Sequence, residues 1–227
     1  MLGAGQLLAD PEIASDDKQR ARFAQMVVQN AEGMQGVLEN LLELSRMDPG
    51  ARRQRNVLLP RVAAEVCRQL RDMAAARGVK VRMRELPEVE VNSAALELAL
   101  TNYVSNAIKY SDGAADERWV EVVGRVEEAE PAGGTPRLVI EVKDNGLGVP
   151  EDKRQQLFTR FFRAHGDTVT GVEGTGLGLS IVRETVEGMG GRAWAEFEGE
   201  RGSRFFISLP YRRSADRDAS GADSVRG

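Results

Sequence analysis

The chain has 227 residues, with 31 Lys and Arg against 35 Asp and Glu for a formal net charge of −4, and 41% of its residues are hydrophobic. This length holds one or two domains with proper cores, and the near-balanced charge supplies no basic field of the kind a nucleic-acid partner requires. No apolar stretch approaches the roughly 20 residues that cross a bilayer and the N-terminus lacks a signal-peptide pattern, so this portion reads as soluble and cytoplasmic, without membrane contact of its own.

In chain order, apolar residues between Asp16 and Met47 (Phe23, Val27, Met34, Val37, Leu41, Leu44, with Asn30 among them) alternate by four and three, the spacing of a coiled-coil seam. Asp16 and Asp17 supply an N-cap and first-turn acids, and Asp48-Pro49-Gly50 stops the run. Residues 1–9 (MLGAGQLLA) read as the end of another helix joined at Asp10-Pro11, so 1–50 predicts a helical hairpin. A hairpin with a strong seam buries both faces by pairing with a second copy into a four-helix bundle; packing alone on the next domain is the other arrangement. Asn30 either sets the register or faces solvent. The basic stretch near 51–57 reads as a linker.

The pattern then predicts a helix over 58–77, a strand at 79–84 and a helix at 93–110. Cys67 lies with Val62, Val66 and Leu70 on the first of these, which reads as a small buried thiol. Strands at 119–126 and 137–143 are joined by a turn-rich insert at 130–134. A loop at 165–174 leads to a helix at 177–189 that ends on Gly190-Gly191, and strands at 192–197 and 204–209 close the domain. Helices on one face of a mixed sheet make an α/β sandwich over 58–211, so the fold class is α+β, a helical hairpin followed by that sandwich. Residues 212–227, rich in Ser, Asp, Arg and Gly, predict a disordered tail.

Three separated stretches carry the chemistry. Asn102 and Asn106, at i and i+4, share one helix face, so two amide oxygens can reach the same hard cation and its phosphate ligands, with Lys109 one turn on. Asp144-x-Gly146-x-Gly148 sets a lone carboxylate before two glycines, which suits a hydrogen bond to an exocyclic amine while the backbone runs close beneath a flat ring. Gly174-Thr175-Gly176-Leu177-Gly178-Leu179 opens an amphipathic run (Ile181, Val182, Val186), so free N–H groups and a positive helix end point at an anion there. A dinucleotide-binding reading fails, because these glycines follow a polar loop instead of a buried strand.

In order and spacing the three stretches resemble the N, G1 and G2 boxes of sensor histidine kinases of two-component systems, and 158–162 (FTRFF) resembles the F box between G1 and G2. The resemblance covers nearly all of residues 1–211. It implies an ATP-binding domain of the type shared with gyrase and the heat-shock chaperones, taking ATP and Mg²⁺. It implies further that Asn102 and Asn106 face the metal and the triphosphate, Asn106 foremost, and serve catalysis together with Lys109 on a phosphate. Tyr110 would pack on the ribose or purine, or else act as a core aromatic at the helix end. Asp144 would accept from the adenine amine, with Gly146 and Gly148 allowing close approach. Residues 163–173 resemble the ATP lid, with Gly174, Thr175, Gly176, Leu177, Gly178 and Leu179 around the phosphates; Arg160 or Arg163 would neutralise them, or remain on the surface. Gly202-Ser203-x-Phe205 resembles a final motif that buttresses a strand pair.

ATPase relatives of this fold carry a glutamate at the position of Asn102, where it takes a proton from water. An amide cannot do so, which leaves the γ-phosphoryl for another nucleophile. The resemblance makes that nucleophile a histidine, and the next acceptor an aspartate on a response-regulator receiver domain. The acceptor's motif, His-Glu/Asp-x-x-x-Pro, is absent. The one histidine, His165, falls in the lid and reads as solvent-exposed. The expectation is therefore a truncated chain that dimerises through its hairpin and does not label itself, any membrane anchor of the parent lying upstream. Two other readings stand beside it: a serine/threonine kinase of the anti-sigma-factor type, which would lack the hairpin, and a nucleotide-binding dimerisation module without kinase activity.

Overall fold

The computed structural model describes residues 56–128, 134–165 and 176–211. The predicted hairpin (1–50), most of the linker, the tail (212–227) and the glycine-box residues Gly174 and Thr175 lie outside them. Among the described residues no helix is long and apolar enough to cross a membrane.

Strand β1 (Asn56–Leu58) pairs antiparallel with β3 (Glu90–Asn92), Val57 opposite Val91. Asn56 and Val57, expected in the linker, thus form the first strand of the domain; three residues are too few for alternation to reveal. Helix α1 (Leu59–Gln69) has a proline in its first turn and buries Leu59, Val62, Ala63 and Val66. The single helix expected over 58–77 is instead two, because Leu70 leaves helical geometry (φ −92°, ψ 3°) before α2 (Arg71–Ala76) begins. Cys67 is half-buried rather than buried, and that burial raises its thiol pKa.

Helix α3 (Ser93–Lys109) starts at an N-cap in which Asn92 Oδ1 accepts from the Ala95 N–H at 3.3 Å. The main sheet runs in the order β2 (Val79–Arg84), β4 (Arg118–Glu127), β5 (Arg137–Asp144), β7 (Ser203–Pro210), β6 (Arg192–Glu196), with β2 parallel to β4 and every other neighbour antiparallel. Alternation along the strands sends Val120, Val122, Leu138, Ile140, Val142, Phe205 and Ile207 to one face. There they meet Leu96, Leu100, Val104 and Ile108 of α3, and Val182 and Val186 of α4 (Gly178–Gly188). Tyr103 is the largest side chain fully enclosed in this layer, and its hydroxyl donates to the Phe206 carbonyl at 3.3 Å. The opposite sheet face carries the Trp194–Phe206 ring stack, 4.9 Å between centroids and 7° between planes, and the pair of Arg204 Nε with Glu141 at 2.7 Å.

This is an α+β domain of the expected kind, with helices on one face of a mixed sheet. Its topology brings the C-terminal end of α3, the end of β5 and the start of α4 to one edge.

Candidate nucleotide site

The C-terminal end of α3 and the turn after β5 are joined by backbone: the Leu147 N–H donates to the Tyr110 carbonyl at 3.0 Å. Gly146 has to be glycine here, since a Cβ would lie 2.5 Å from that same carbonyl oxygen. Gly148 adopts φ +69°, and a Cβ on it would run into the Glu200 carbonyl, so both its conformation and its space exclude a side chain.

Asp144 is buried at this turn, 7% exposed. Its Oδ1 accepts from the Gly146 N–H at 2.8 Å, which leaves the carboxylate with further acceptor capacity toward the cleft it lines. Burial pushes the carboxyl up from 3.8 to about 6, while the backbone N–H bonds from Gly146 and Ser203 pull the other way. Asn145 holds the turn in register, accepting from the Trp119 N–H at 2.9 Å and donating to the Glu117 carbonyl at 2.7 Å.

Around this turn lies an open cleft. Asn102, Asn106, Lys109 and Tyr110 line it from α3, Asp144 and Gly148 from the turn, and Gly176, Gly178 and Leu179 from the start of α4. The sequence candidates within the described residues therefore converge, with Gly146 supporting the floor from beneath and Leu177 standing at the N-cap of α4. The helix end that faces the cleft begins with Gly178, whose missing Cβ makes room for Asn102 Oδ1. The amide nitrogen of Asn102 donates back to the Leu98 carbonyl at 2.8 Å. Asn106 makes no side-chain hydrogen bond among the described residues, so its amide is the less committed of the two.

Of the two arginines left open by the sequence, Arg163 lines the cleft. Arg160 does not; it is exposed and pairs with Glu184 at 2.7 Å. The FTRFF segment is divided in the same way. Phe158 is buried, Phe162 lines the cleft, and Phe161 is turned outward at φ +65°, its N–H donating to the Gly176 carbonyl at 2.9 Å.

His165 corrects the sequence reading. It is half-buried, not a solvent-exposed loop residue: Nε2 sits 2.8 Å from the Gly148 carbonyl and the ring lies 5.4 Å from that of Tyr110. Sequence reasoning also missed Lys153, whose Nζ donates to the Ala164 carbonyl at 2.7 Å, and Arg154, which ties Val149 and Gly199 together through their carbonyls. Their short 3₁₀ turn (Glu151–Gln156) has no periodic signature.

A sheet covered on one face by helices, with an edge cleft combining a glycine turn, a buried carboxylate and a helix N-terminus, is the arrangement expected of an ATP-binding domain of the histidine kinase, gyrase and chaperone type. Residues 91–213 match the family of histidine kinase-, DNA gyrase B-, and HSP90-like ATPases, and the chain belongs to it. Within that family it carries a catalytic domain of the sensor histidine kinase type, as its relatives indicate. It is 30% identical over 216 residues to the sensor histidine kinase AruS of Pseudomonas aeruginosa, a match covering 92% of this chain and 21% of that protein. It is also 30% identical over 218 residues to the sensor histidine kinase WalK of Bacillus subtilis, covering 91% and 33%. The chain thus spans a fifth to a third of these relatives' length. Among solved structures, full-length ShkA in complex with AMPPNP superposes with a TM-score of 0.61 at 22% identity over 88% of this chain and 40% of that one, a likeness of fold. A mycobacterial sensor histidine kinase, MprB, superposes at 0.53 with 25% identity, covering 69% and 97%.

Proposed function

We propose that this domain binds Mg²⁺-ATP in the cleft and transfers the γ-phosphoryl group to a histidine on a helical hairpin, for relay to an aspartate of a response-regulator receiver domain. The observation that carries the reading is the convergence of Asn106, Lys109, Tyr110, Asp144 and Gly148 with the start of α4 on one cleft.

Asp144 accepts from the adenine amine, and Gly146 and Gly148 let the backbone pass under the ring. Tyr110 packs at the nucleoside. Lys109 and the N-terminus of α4 hold the phosphates, with Gly176 and Gly178 letting the Phe161–Phe162 backbone and Asn102 close against that helix end. Among the described residues no three His, Cys, Asp or Glu side chains gather into a metal cage. Neutral amide oxygens beside a triphosphate suit Mg²⁺, which keeps several waters and is commonly held by few protein ligands plus phosphate. Asn106, and then Asn102, would hold it, and the ion when bound neutralises phosphate charge. Asn102 cannot take a proton from water, so the γ-phosphoryl waits for an external nucleophile. His165 is engaged at Gly148, and the acceptor imidazole comes from outside these 227 residues. Two hairpins pairing through the 1–50 seam would make the homodimer.

The same histidine inventory favours one second reading, a nucleotide-binding dimerisation module without transfer activity. Phosphate release and label transfer separate the two. The kinase reading expects little free phosphate from Mg²⁺-ATP and label on a supplied histidine; the module reading expects neither. Steady hydrolysis at ordinary enzyme rates would refute both.

A further inference from the structure

We propose that His165 is a nucleotide-binding residue, tethered through Nε2 to the Gly148 carbonyl, that walls the nucleoside end of the cleft beside Tyr110. This rests on the ATP reading above and adds to it a residue outside the glycine and asparagine motifs.

A carbonyl only accepts, so the 2.8 Å contact with Gly148 requires the proton on Nε2. That fixes the tautomer and leaves Nδ1 of the neutral ring as an acceptor. The ring is positioned from three sides. Gly148, at φ +69°, lies where a Cβ would strike the Glu200 carbonyl, so its own carbonyl is presented to the ring from a turn that only glycine can form. The preceding residue, Ala164, is held through its carbonyl by Lys153 at 2.7 Å. On the third side Tyr110 lies 5.4 Å away, its plane tilted 37° to the imidazole.

Position within the cleft decides which part of the ligand the ring meets. Asn102 abuts Gly178, which marks the end that faces the N-terminus of α4 and the phosphates. His165 abuts Gly148, in the turn that also carries Asp144, and lines the cleft there. A polar aromatic edge at that end suits a ribose hydroxyl or the side of a purine. Its loss should therefore weaken ATP, ADP and AMP alike, whereas a phosphate contact would weigh most on ATP.

The test uses the full chain and dissociation constants for Mg²⁺-ATP, ADP and AMP in wild type, His165→Ala and His165→Gln. Because the chain has one histidine, a long-range nitrogen–proton correlation spectrum shows this imidazole alone. The expected result is a loss of about tenfold for all three nucleotides in His165→Ala, the effect of one good polar contact, with most of the affinity kept in His165→Gln, whose amide can still reach Gly148. The wild-type ring should show the Nε2–H tautomer and shift on addition of ATP. Unchanged affinity in His165→Ala, a loss confined to ATP, or a ring signal unmoved by saturating ATP would each overturn the inference. Should His165→Ala fail to fold, the wild-type ring signal decides. If wild type binds no nucleotide, the ATP reading itself is wrong; if wild type binds and Asp144→Asn does not while His165→Ala binds normally, only this inference fails.

Discussion

In Asp144→Asn, nucleotide affinity and the stability of the empty domain should move in opposite directions. The wild-type carboxylate is 7% exposed and its pKa is raised from 3.8 to about 6, so holding it ionised at neutral pH costs the empty domain about 3 kcal/mol. Asparagine is nearly the same shape and its Oδ1 can still accept from the Gly146 N–H, so the variant should melt no lower than wild type, and up to several degrees higher. The adenine amine, however, loses a charged acceptor, which is worth roughly 1 to 3 kcal/mol, or about five- to 150-fold in ATP affinity. The pH dependence follows from the same carboxyl. Its folded pKa lies above the ordinary value, so its favourable contribution to stability is present at low pH and fades as pH rises from about 4 through about 6. Nucleotide binding prefers the ionised acceptor and should weaken as pH falls through about 6 in wild type but not in Asp144→Asn. Calorimetry of ATP binding between pH 5 and pH 8, with melting curves of both empty proteins, checks each part. Unchanged ATP affinity in Asp144→Asn would refute the adenine assignment, and a lower melting temperature would refute the account of the buried charge.

Asn145→Ala removes both bonds that fasten the turn to the start of β4, and should lower stability by about 2 kcal/mol in urea unfolding and weaken ATP as the turn loosens. Tyr103→Phe deletes only the hydroxyl bonded to Phe206, so a loss of about 1 kcal/mol with unaltered ATP affinity is expected. Gly148→Ala meets a positive φ and a blocking carbonyl together, and should cost about 2 kcal/mol or more while abolishing measurable ATP binding. Asn106→Ala should leave the fold intact yet lower phosphoryl transfer by about a hundredfold at fixed Mg²⁺, read by labelling of a supplied acceptor.

Most of the sheet was legible because its strands are long enough to alternate: Leu138, Ile140 and Val142 point one way and Val139 and Glu141 the other, and period two reports that directly. The cleft was legible for a different reason. Asn102 and Asn106 are spaced by a helix turn, and Gly146 and Gly148 occupy places where a Cβ meets backbone, so local geometry leaves its mark on residue type. What escaped has no such mark. β1 and β3 are three residues each and exist by pairing with one another. The break at Leu70 leaves the apolar period intact across it, so two helices read as one. His165 looked like a loop residue because its partners, Gly148 and Tyr110, are 17 and 55 positions away and contribute a carbonyl and a ring, neither of which constrains sequence nearby. The FTRFF segment lies beside the cleft, but only the fold shows that Phe158 and Phe162 turn inward while Phe161 turns out.

The most direct test of phosphoryl transfer is to incubate the chain with γ-labelled ATP and Mg²⁺, alone and with a helical hairpin bearing the His-Glu/Asp-x-x-x-Pro motif. Acid-labile, base-stable label on the hairpin alone, lost in Asn106→Ala, is the predicted result. Label on serine or threonine, or none on the hairpin while ATP binding is intact, would contradict histidine-kinase chemistry for this site.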